Sequence, residues 1–217
     1  SFDDVPVTDP FYSFVETLLH NGVTRGCGTT IYCPTDATTR AQMAVFVLKA
    51  AEGSGYTPPA CVAGSELFGD IPAGNPFCPF IEELSRRGVV VGCGGGNYCP
   101  DDPTTRGQMP VFSLRTLEGA SYSPPGCVAG SEVFADVPAT DPFCAWIEEY
   151  SSRGITMGCG GGNYCPGDDV TRGQMAVFQT KTFDLLIYGP EPNRRGWRTM
   201  RRTPPVVPGD VAGGREE

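Results

Sequence analysis

Histidine is nearly absent from this chain, with His20 the single copy among 217 residues. A zinc centre would therefore lack the usual imidazole ligands. Bases are scarce too: 16 Lys and Arg stand against 25 Asp and Glu, giving a net charge of -9. The imbalance is steeper away from the last stretch, because residues 189–217 hold six Arg and four acids and leave the remainder at -11. A body of that sign repels phosphate backbones, so nucleic acid is not an expected partner. No apolar run approaches the roughly 20 residues of a membrane span, and no signal peptide is visible. The chain begins at Ser1 directly inside its first motif and is expected to be a mature protein or an excised fragment. Apolar residues reach only 40% while Gly 29 and Pro 21 are abundant, which describes short elements joined by turns and not long helices or a parallel sheet.

What is present is one unit used three times. Residues recur at a spacing of 66: Phe2, Phe68 and Phe134; Asp4, Asp70 and Asp136; Arg40, Arg106 and Arg172; Phe46, Phe112 and Phe178. A unit this short shares its core with its copies, and any site it carries appears in triplicate. The expected division is 1–60, 61–126 and 127–188 for the repeats, with 189–217 a basic Pro/Gly-rich tail, flexible unless a partner orders it.

Ten cysteines follow the same period. Cys27 with Cys33, Cys93 with Cys99 and Cys159 with Cys165 share the spacing C-x5-C. The other four are Cys61, Cys78, Cys127 and Cys144. Tyr12 precedes Cys78 by one period, and the would-be partner before Cys61 falls ahead of residue 1; Asn193 and Asp210 take the two positions one period after Cys127 and Cys144. Where one of the two is missing, so is the other, which pairs Cys61 with Cys78 and Cys127 with Cys144. C-x5-C is not zinc-ribbon spacing, so disulfides are preferred over metal and place the chain outside the cytosol.

Each repeat reads as two helices around a glycine-rich turn. In the first, Phe11, Phe14, Val15, Leu18 and Leu19 mark one helical face, with Asp9-Pro10 as the start signal and Gly22 as the stop. Phe77, Phe80, Ile81 and Leu84 repeat it before Gly88, and Phe143, Trp146, Ile147 and Tyr150 before Gly154. These three faces suggest a shared three-helix core.

The second helix opens with Thr39, Thr105 and Thr171 three residues ahead of Gln42, Gln108 and Gln174, the spacing of a capping box. Capping leaves the intervening arginine unexplained, because a cation in the first turn opposes the helix dipole at about 0.3–1 kcal/mol. Arg40, Arg106 and Arg172 therefore call for anionic partners. One reading is a salt bridge to Asp4, Asp70 or Asp136; the other is an anionic ligand at the helix N-terminus, aided by free amides. Pro110 should kink the second copy of this helix.

The order F-x-D-[VI]-P, an apolar helix ending in glycine, G-C-G-x-x-x-Y-C-P and T-R-[AG]-Q resembles the S-layer homology domain, whose signature runs from an F-x-D-V opening to a T-R-A-E helix start. The resemblance covers residues 2 to about 185. It implies a mainly α fold: three tandem helix-loop-helix repeats in a pseudo-threefold arrangement around a shared central helical core, here stapled by disulfides. It also implies grooves between repeats that bind cell-wall polysaccharide, often through a pyruvylated sugar. The family's motif arginine and opening aspartate contribute to those grooves, and they map to Arg40, Arg106 and Arg172 and to Asp4, Asp70 and Asp136. Glutamine replaces the family's glutamate in all three copies, and the cysteine pairs lie outside the common signature.

Other constellations are blander. The runs CGGGNYCP lack the lysine of a phosphate loop and read as disulfide-closed turns. Asp101 with Asp102 and Asp168 with Asp169 lack the spacing of a calcium loop. Glu16, Glu82 and Glu148, like Lys49, Arg115 and Lys181, read as solvated or salt-bridged faces, and Thr57 and Ser123 beside Pro-Pro as O-glycosylation points. No nucleophile, base and orienting group converge, so no enzyme, metal or cofactor is expected. The expected function is non-covalent anchoring of an extracellular protein to cell-envelope polysaccharide at the cell surface. The alternative is a self-associating structural subunit of a surface layer or filament.

Overall fold

A computed structural model of the chain describes residues 1–189; the basic tail expected to be flexible lies beyond Gly189, outside the described residues. Six helices occur in pairs: α1 (Tyr12–His20) and α2 (Arg40–Glu52), α3 (Cys78–Arg86) and α4 (Gln108–Glu118), α5 (Cys144–Ser152) and α6 (Arg172–Thr182). Among the described residues no strand forms; the only ladder contacts are isolated bridges such as Ala37 with Thr171, Thr39 with Pro103 and Thr105 with Asp169.

The first helix of each pair starts later than the Asp-Pro signal. The Asp9 carboxylate accepts the Phe11 amide at 2.7 Å and the Asp9 carbonyl accepts the Tyr12 amide, so Asp9 closes a turn that delivers the chain into α1. Asn75 and Asp141 do the same for Phe77 and Phe143. Gly22, Gly88 and Gly154 end the helices at φ of 68–69°.

The central trio is not the one suggested by the amphipathic faces. α2, α4 and α6 contact one another at the middle, while α1, α3 and α5 lie outside. Each outer helix packs on the inner helix of the preceding repeat: α3 on α2, α5 on α4 and α1 on α6. The reason is in the burial pattern. α2 buries Ala41, Met43, Ala44, Phe46, Val47 and Leu48, residues around all of the helix except the Gln42, Val45 and Lys49 stripe, whereas an outer helix offers only one apolar stripe. A strongly one-sided helix belongs at the periphery, and the sidedness that makes α1 easy to recognise is what keeps it from the centre.

The inner helices are introduced by a closed ring of backbone hydrogen bonds. The Thr38 amide donates to Val170 O, the Val170 amide to Thr104 O, and the Thr104 amide to Thr38 O, at 2.8–2.9 Å. All three residues are fully buried. The pseudo-threefold axis is therefore fixed by main-chain polar groups that water cannot reach.

Five disulfides join Cys27 to Cys33, Cys61 to Cys78, Cys93 to Cys99, Cys127 to Cys144 and Cys159 to Cys165, the same pairs the period implies. Pro110 does not kink a longer helix; it shortens α4, whose helical residues begin at Gln108 where α2 and α6 begin at Arg40 and Arg172. Proline at 110 cannot donate to the Arg106 carbonyl, which keeps the Tyr164 hydroxyl at 2.8 Å, a bond that all three copies make.

Candidate functional site: the grooves between repeats

The capping boxes form as their spacing dictates. Thr39 and Gln42, Thr105 and Gln108, and Thr171 and Gln174 exchange side-chain to backbone bonds at 3.3–3.4 Å. The first-turn amides, however, are not free for a ligand. Arg40 N and Ala41 N donate to Asp102 O and Pro100 O of the next repeat, and the equivalent bonds run from Arg106 and Gly107 to Asp168 and Pro166, and from Arg172 and Gly173 to Asp36 and Pro34. The helix N-terminus is thus satisfied by a neighbouring loop, and the amide-assisted anion site expected from the sequence does not exist.

The arginine side chains also depart from expectation. Among the described residues no ion pair within 4 Å joins Arg40, Arg106 or Arg172 to an aspartate. Instead Arg40 Nε donates to Tyr98 O, Arg106 Nε to Tyr164 O and Arg172 Nε to Tyr32 O, at 2.7–2.9 Å. Each guanidinium lies 4.7–4.8 Å from the centroid of the same tyrosine ring, with Phe112, Phe178 or Phe46 facing it at 5.3–5.7 Å. The tyrosine hydroxyl returns to the backbone carbonyl of its arginine, as from Tyr98 to Arg40 O and Tyr32 to Arg172 O. The contacts run from repeat 1 to 2, 2 to 3 and 3 back to 1, closing a ring.

The aspartates act on the same assembly from behind. The two carboxylate oxygens of Asp4 accept the amides of Tyr32 and Cys33, those of Asp70 the amides of Tyr98 and Cys99, and those of Asp136 the amides of Tyr164 and Cys165, at 2.7–2.8 Å. Each therefore seats the end of a disulfide-closed loop, at a cysteine held in the left-handed region with φ of 58–60°. That loop carries the carbonyl that holds the arginine. The opening phenylalanine lies beneath it: a Cβ on Gly92 would meet Asn97 O at 2.3 Å and the Phe68 ring at 2.9 Å, which accounts for the glycine before each first cysteine.

Two grooves result. One, of about 350 Å³, is lined by Arg106 together with Met157, Lys181 and Phe11; the other, of about 280 Å³, by Arg40 with Val91, Arg115 and Phe143. Around Arg172 the equivalent positions are Arg25, Lys49 and Phe77. Each groove is built from all three repeats, and the aromatic wall approaches closely because Gly107 and Gly173 leave no Cβ in the way of Phe143 and Phe11.

These grooves carry buried positive charge with no carboxylate at ion-pair distance from the ring arginines among the described residues. Arg40, Arg106 and Arg172 are only 6%, 4% and 4% exposed, and Nη2 of Arg106 and of Arg172 has no hydrogen-bond partner among the described residues. Burial holds the pKa of Arg172 below its ordinary value despite Tyr32, Asp36 and Asp4, and burial lowers that of Lys181. The same environment pushes the Tyr98 hydroxyl up to about 12, against the opposing pull of Arg40, so the tyrosines remain neutral donors. An arginine committed at Nε and pressed between rings presents its remaining N–H groups to an incoming oxyanion in a fixed plane.

Sequence reasoning missed the second cation. Lys49, Arg115 and Lys181 read as a solvated or salt-bridged helix face, yet Arg115 stacks 5.3 Å from the Trp146 ring and lines the groove of Arg40, as Lys181 lines that of Arg106. The useful signal is an offset of 75 residues, one period plus nine, which pairs cations across a repeat boundary.

Among the described residues no cluster offers free thiolates for a metal. Glu82 lies beside the Cys61–Cys78 sulfurs and Glu148 beside Cys127–Cys144, but all four cysteines are in disulfides. Asp102 and Asp168 contribute their main-chain carbonyls to the arginine amides.

Comparison with known proteins agrees with this threefold construction. A family model described as the S-layer homology domain matches residues 1–44, 67–109 and 133–176, more than half of the chain. An endoglucanase of Bacillus sp. (strain KSM-635) is 28% identical over 119 residues, 55% of this chain and 12% of that protein. An amylopullulanase of Thermoanaerobacterium thermosulfurigenes is 29% identical over 113 residues, 52% of this chain and 6% of that protein. The matched region is thus a small part of each relative.

Proposed function

Because this chain belongs to the S-layer homology domain family, a cell-surface attachment family, we propose that it holds an extracellular protein to envelope polysaccharide through its inter-repeat grooves, with a pyruvylated sugar as the preferred residue. Its five disulfides fit a location outside the cytosol. The observation that carries the reading is the buried arginine at each groove, desolvated and with no carboxylate within ion-pair distance among the described residues. A ketal carboxylate supplies the missing negative charge, and the sugar ring meets the aromatic wall. The role is binding, and it requires no bond-making step by this chain.

Two relatives named as enzymes and far longer than this chain favour anchoring over self-assembly. The test uses the rim and not the arginines of the ring, because Arg40, Arg106 and Arg172 also hold the fold. A Lys49→Ala, Arg115→Ala, Lys181→Ala triple variant is expected to lose at least about tenfold in sedimentation with purified cell walls while keeping its far-UV spectrum, the equivalent of about 1.4 kcal/mol. Pyruvyl removal from the walls should reproduce the loss with the unaltered protein. Undiminished binding in both arms overturns the proposal, and sedimentation of the protein alone would favour self-assembly.

A further inference from the structure

The two grooves and the equivalent site at Arg172 are alike in floor and unlike in rim. Position 25 of the first repeat corresponds to 91 and 157, and each precedes a glycine with nearly the same φ: 90° at Gly26, 84° at Gly92 and 87° at Gly158. The three loops therefore turn alike just after this position. The position holds Arg25, Val91 and Met157, all exposed, with Val91 at 87% and Met157 at 89%. Two apolar side chains so far into water contribute nothing to the core, which makes them available to a ligand. The helical wall does not share the difference, since Val111 and Val177 line their grooves and Val45 holds the matching position. The aromatic side is less uniform, because Ala41 takes the position of Gly107 and Gly173, but that change carries no charge and leaves the rim position as the one that alters the charge of a groove.

The acids around the grooves do not offset this difference. Asp4 and Asp36 act on Arg172, and the corresponding pairs are Asp70 with Asp102 and Asp136 with Asp168, so the negative complement is constant. Arg25 is an additional unit of positive charge. By the same period, the Arg172 site has Lys49 and Arg25 at the positions that line the other two grooves, whereas each of those grooves holds two cations beside an exposed Val or Met.

Building on the groove reading above, we propose that the residue at positions 25, 91 and 157 sorts ligands. The Arg172 groove takes a phosphate-bearing sugar, and the Arg40 and Arg106 grooves take a singly charged carboxylate that adjoins an apolar group. A dianionic phosphate gains from a third cation, since unit charges in contact in water-like surroundings attract by the equivalent of roughly a fivefold change in affinity. A ketal methyl gains instead from Val91 or Met157, at about 0.8 kcal/mol per buried carbon, which is roughly fourfold.

The structure also supplies the readout. Nε–H of Arg40, Arg106 and Arg172 is fixed in a hydrogen bond to a tyrosine carbonyl, so each groove has its own reporter in a nitrogen–proton correlation spectrum. Titration with a methyl mannoside carrying a 4,6-pyruvate ketal should move the Arg40 and Arg106 signals at lower concentration than the Arg172 signal. Mannose 6-phosphate should move the Arg172 signal first. Arg25→Met should abolish the phosphate preference of the Arg172 groove, and Met157→Arg should confer it on the Arg106 groove. Equal response of all three signals to both probes, or a preference that survives Arg25→Met, overturns the sorting and leaves polysaccharide binding intact. Silence of all three signals with both probes overturns the groove reading along with it.

Discussion

The junctions between successive repeats and the junction that closes the ring solve the same packing problem by different chemistry. Where repeat 1 meets α3, Arg87 donates to Glu52 and, at 2.8 Å, to Glu83, while Tyr56 bridges Glu83 and Arg87. Where repeat 2 meets α5, Arg153 joins Glu118 at 2.6 Å and Glu149 at 2.7 Å, with Tyr122 in the bridging place. Both linkers are also stapled, by Cys61–Cys78 and Cys127–Cys144. Where repeat 3 meets α1, the corresponding positions hold Asn21, Thr17, Asp184 and Tyr188. Asn21 donates to Leu186 O at 3.2 Å, the Tyr188 amide to Thr17 Oγ1 at 3.0 Å, and Tyr188 stacks on His20 at 4.5 Å. Charge and covalency secure two junctions, and neutral hydrogen bonds with a ring stack secure the third. The ring should open at α1 against α6 before it opens elsewhere.

Loss of a staple is the largest expected effect. A disulfide closing a loop of about 15 residues contributes on the order of 3 kcal/mol, and each junction bridge spans a separation of 17. Cys61→Ser with Cys78→Ser should therefore lower the melting temperature by on the order of 6–12 °C. If the stapled junctions are the stronger ones, hydrogen exchange in the native protein should be fastest at α1 and α6. This double variant should move the fastest exchange to α2 and α3. An unchanged exchange order would remove the comparison.

Next comes the charged clamp itself. Arg153→Ala removes the guanidinium that joins Glu118 and Glu149, at 24% and 20% side-chain exposure, a partly screened site for which about 2 kcal/mol is expected. Asn21→Ala at the closing junction removes neutral hydrogen bonds and should cost about 1 kcal/mol. Urea midpoints of the two variants measure the difference directly.

Acid sharpens the comparison further. Burial pushes the carboxyls of Glu83 and Glu149 up, but hydrogen bonds from Arg87 or Arg153 and from Tyr56 or Tyr122 outweigh it and hold both below the usual range. A folded-state pKa below the unfolded one stabilises the protein above the unfolded value, near about 4.3, and the contribution is lost as pH falls through the folded value. Stability contributed by these two groups should thus be level from about pH 7 to about 5 and decline below it. In an Arg87→Ala, Arg153→Ala variant the decline should be shallower, read as urea midpoint against pH.

The period of 66 made the repeats, the disulfide pairs and the capping boxes legible, because each depends on residues within a few positions of one another or on matched absence. It could not say which copy a residue meets. Arg40 touches repeat 2 and not repeat 1, and its amide is taken by Asp102, so both the expected aspartate partner and the open helix terminus were misread from within a single repeat. The central trio was obscured for a related reason. Amphipathicity reports one-sided burial, and α2 and α6, surrounded by neighbours, have little of it.

The two-against-one division reaches the axis. Repeats 1 and 2 place Thr38 and Thr104 in the buried ring, and repeat 3 places Val170 there. The hydroxyls of both threonines are buried without a hydrogen-bond partner among the described residues. A buried unsatisfied hydroxyl costs about 1–3 kcal/mol relative to one that is paired. Val170 demonstrates that valine makes both backbone bonds of the ring in this geometry, donating to Thr104 O and accepting from Thr38 N. Thr38→Val and Thr104→Val keep the branched shape and exchange only the hydroxyl for a methyl group, so each should stabilise the fold by about 1 kcal/mol. Their urea midpoints should rise singly and nearly additively in the double variant, unless the two sites share space on the axis. A fall in midpoint would mean that the hydroxyls are satisfied by ordered water, and the axis would then be polar in repeats 1 and 2 by design and apolar only at the repeat that closes the ring.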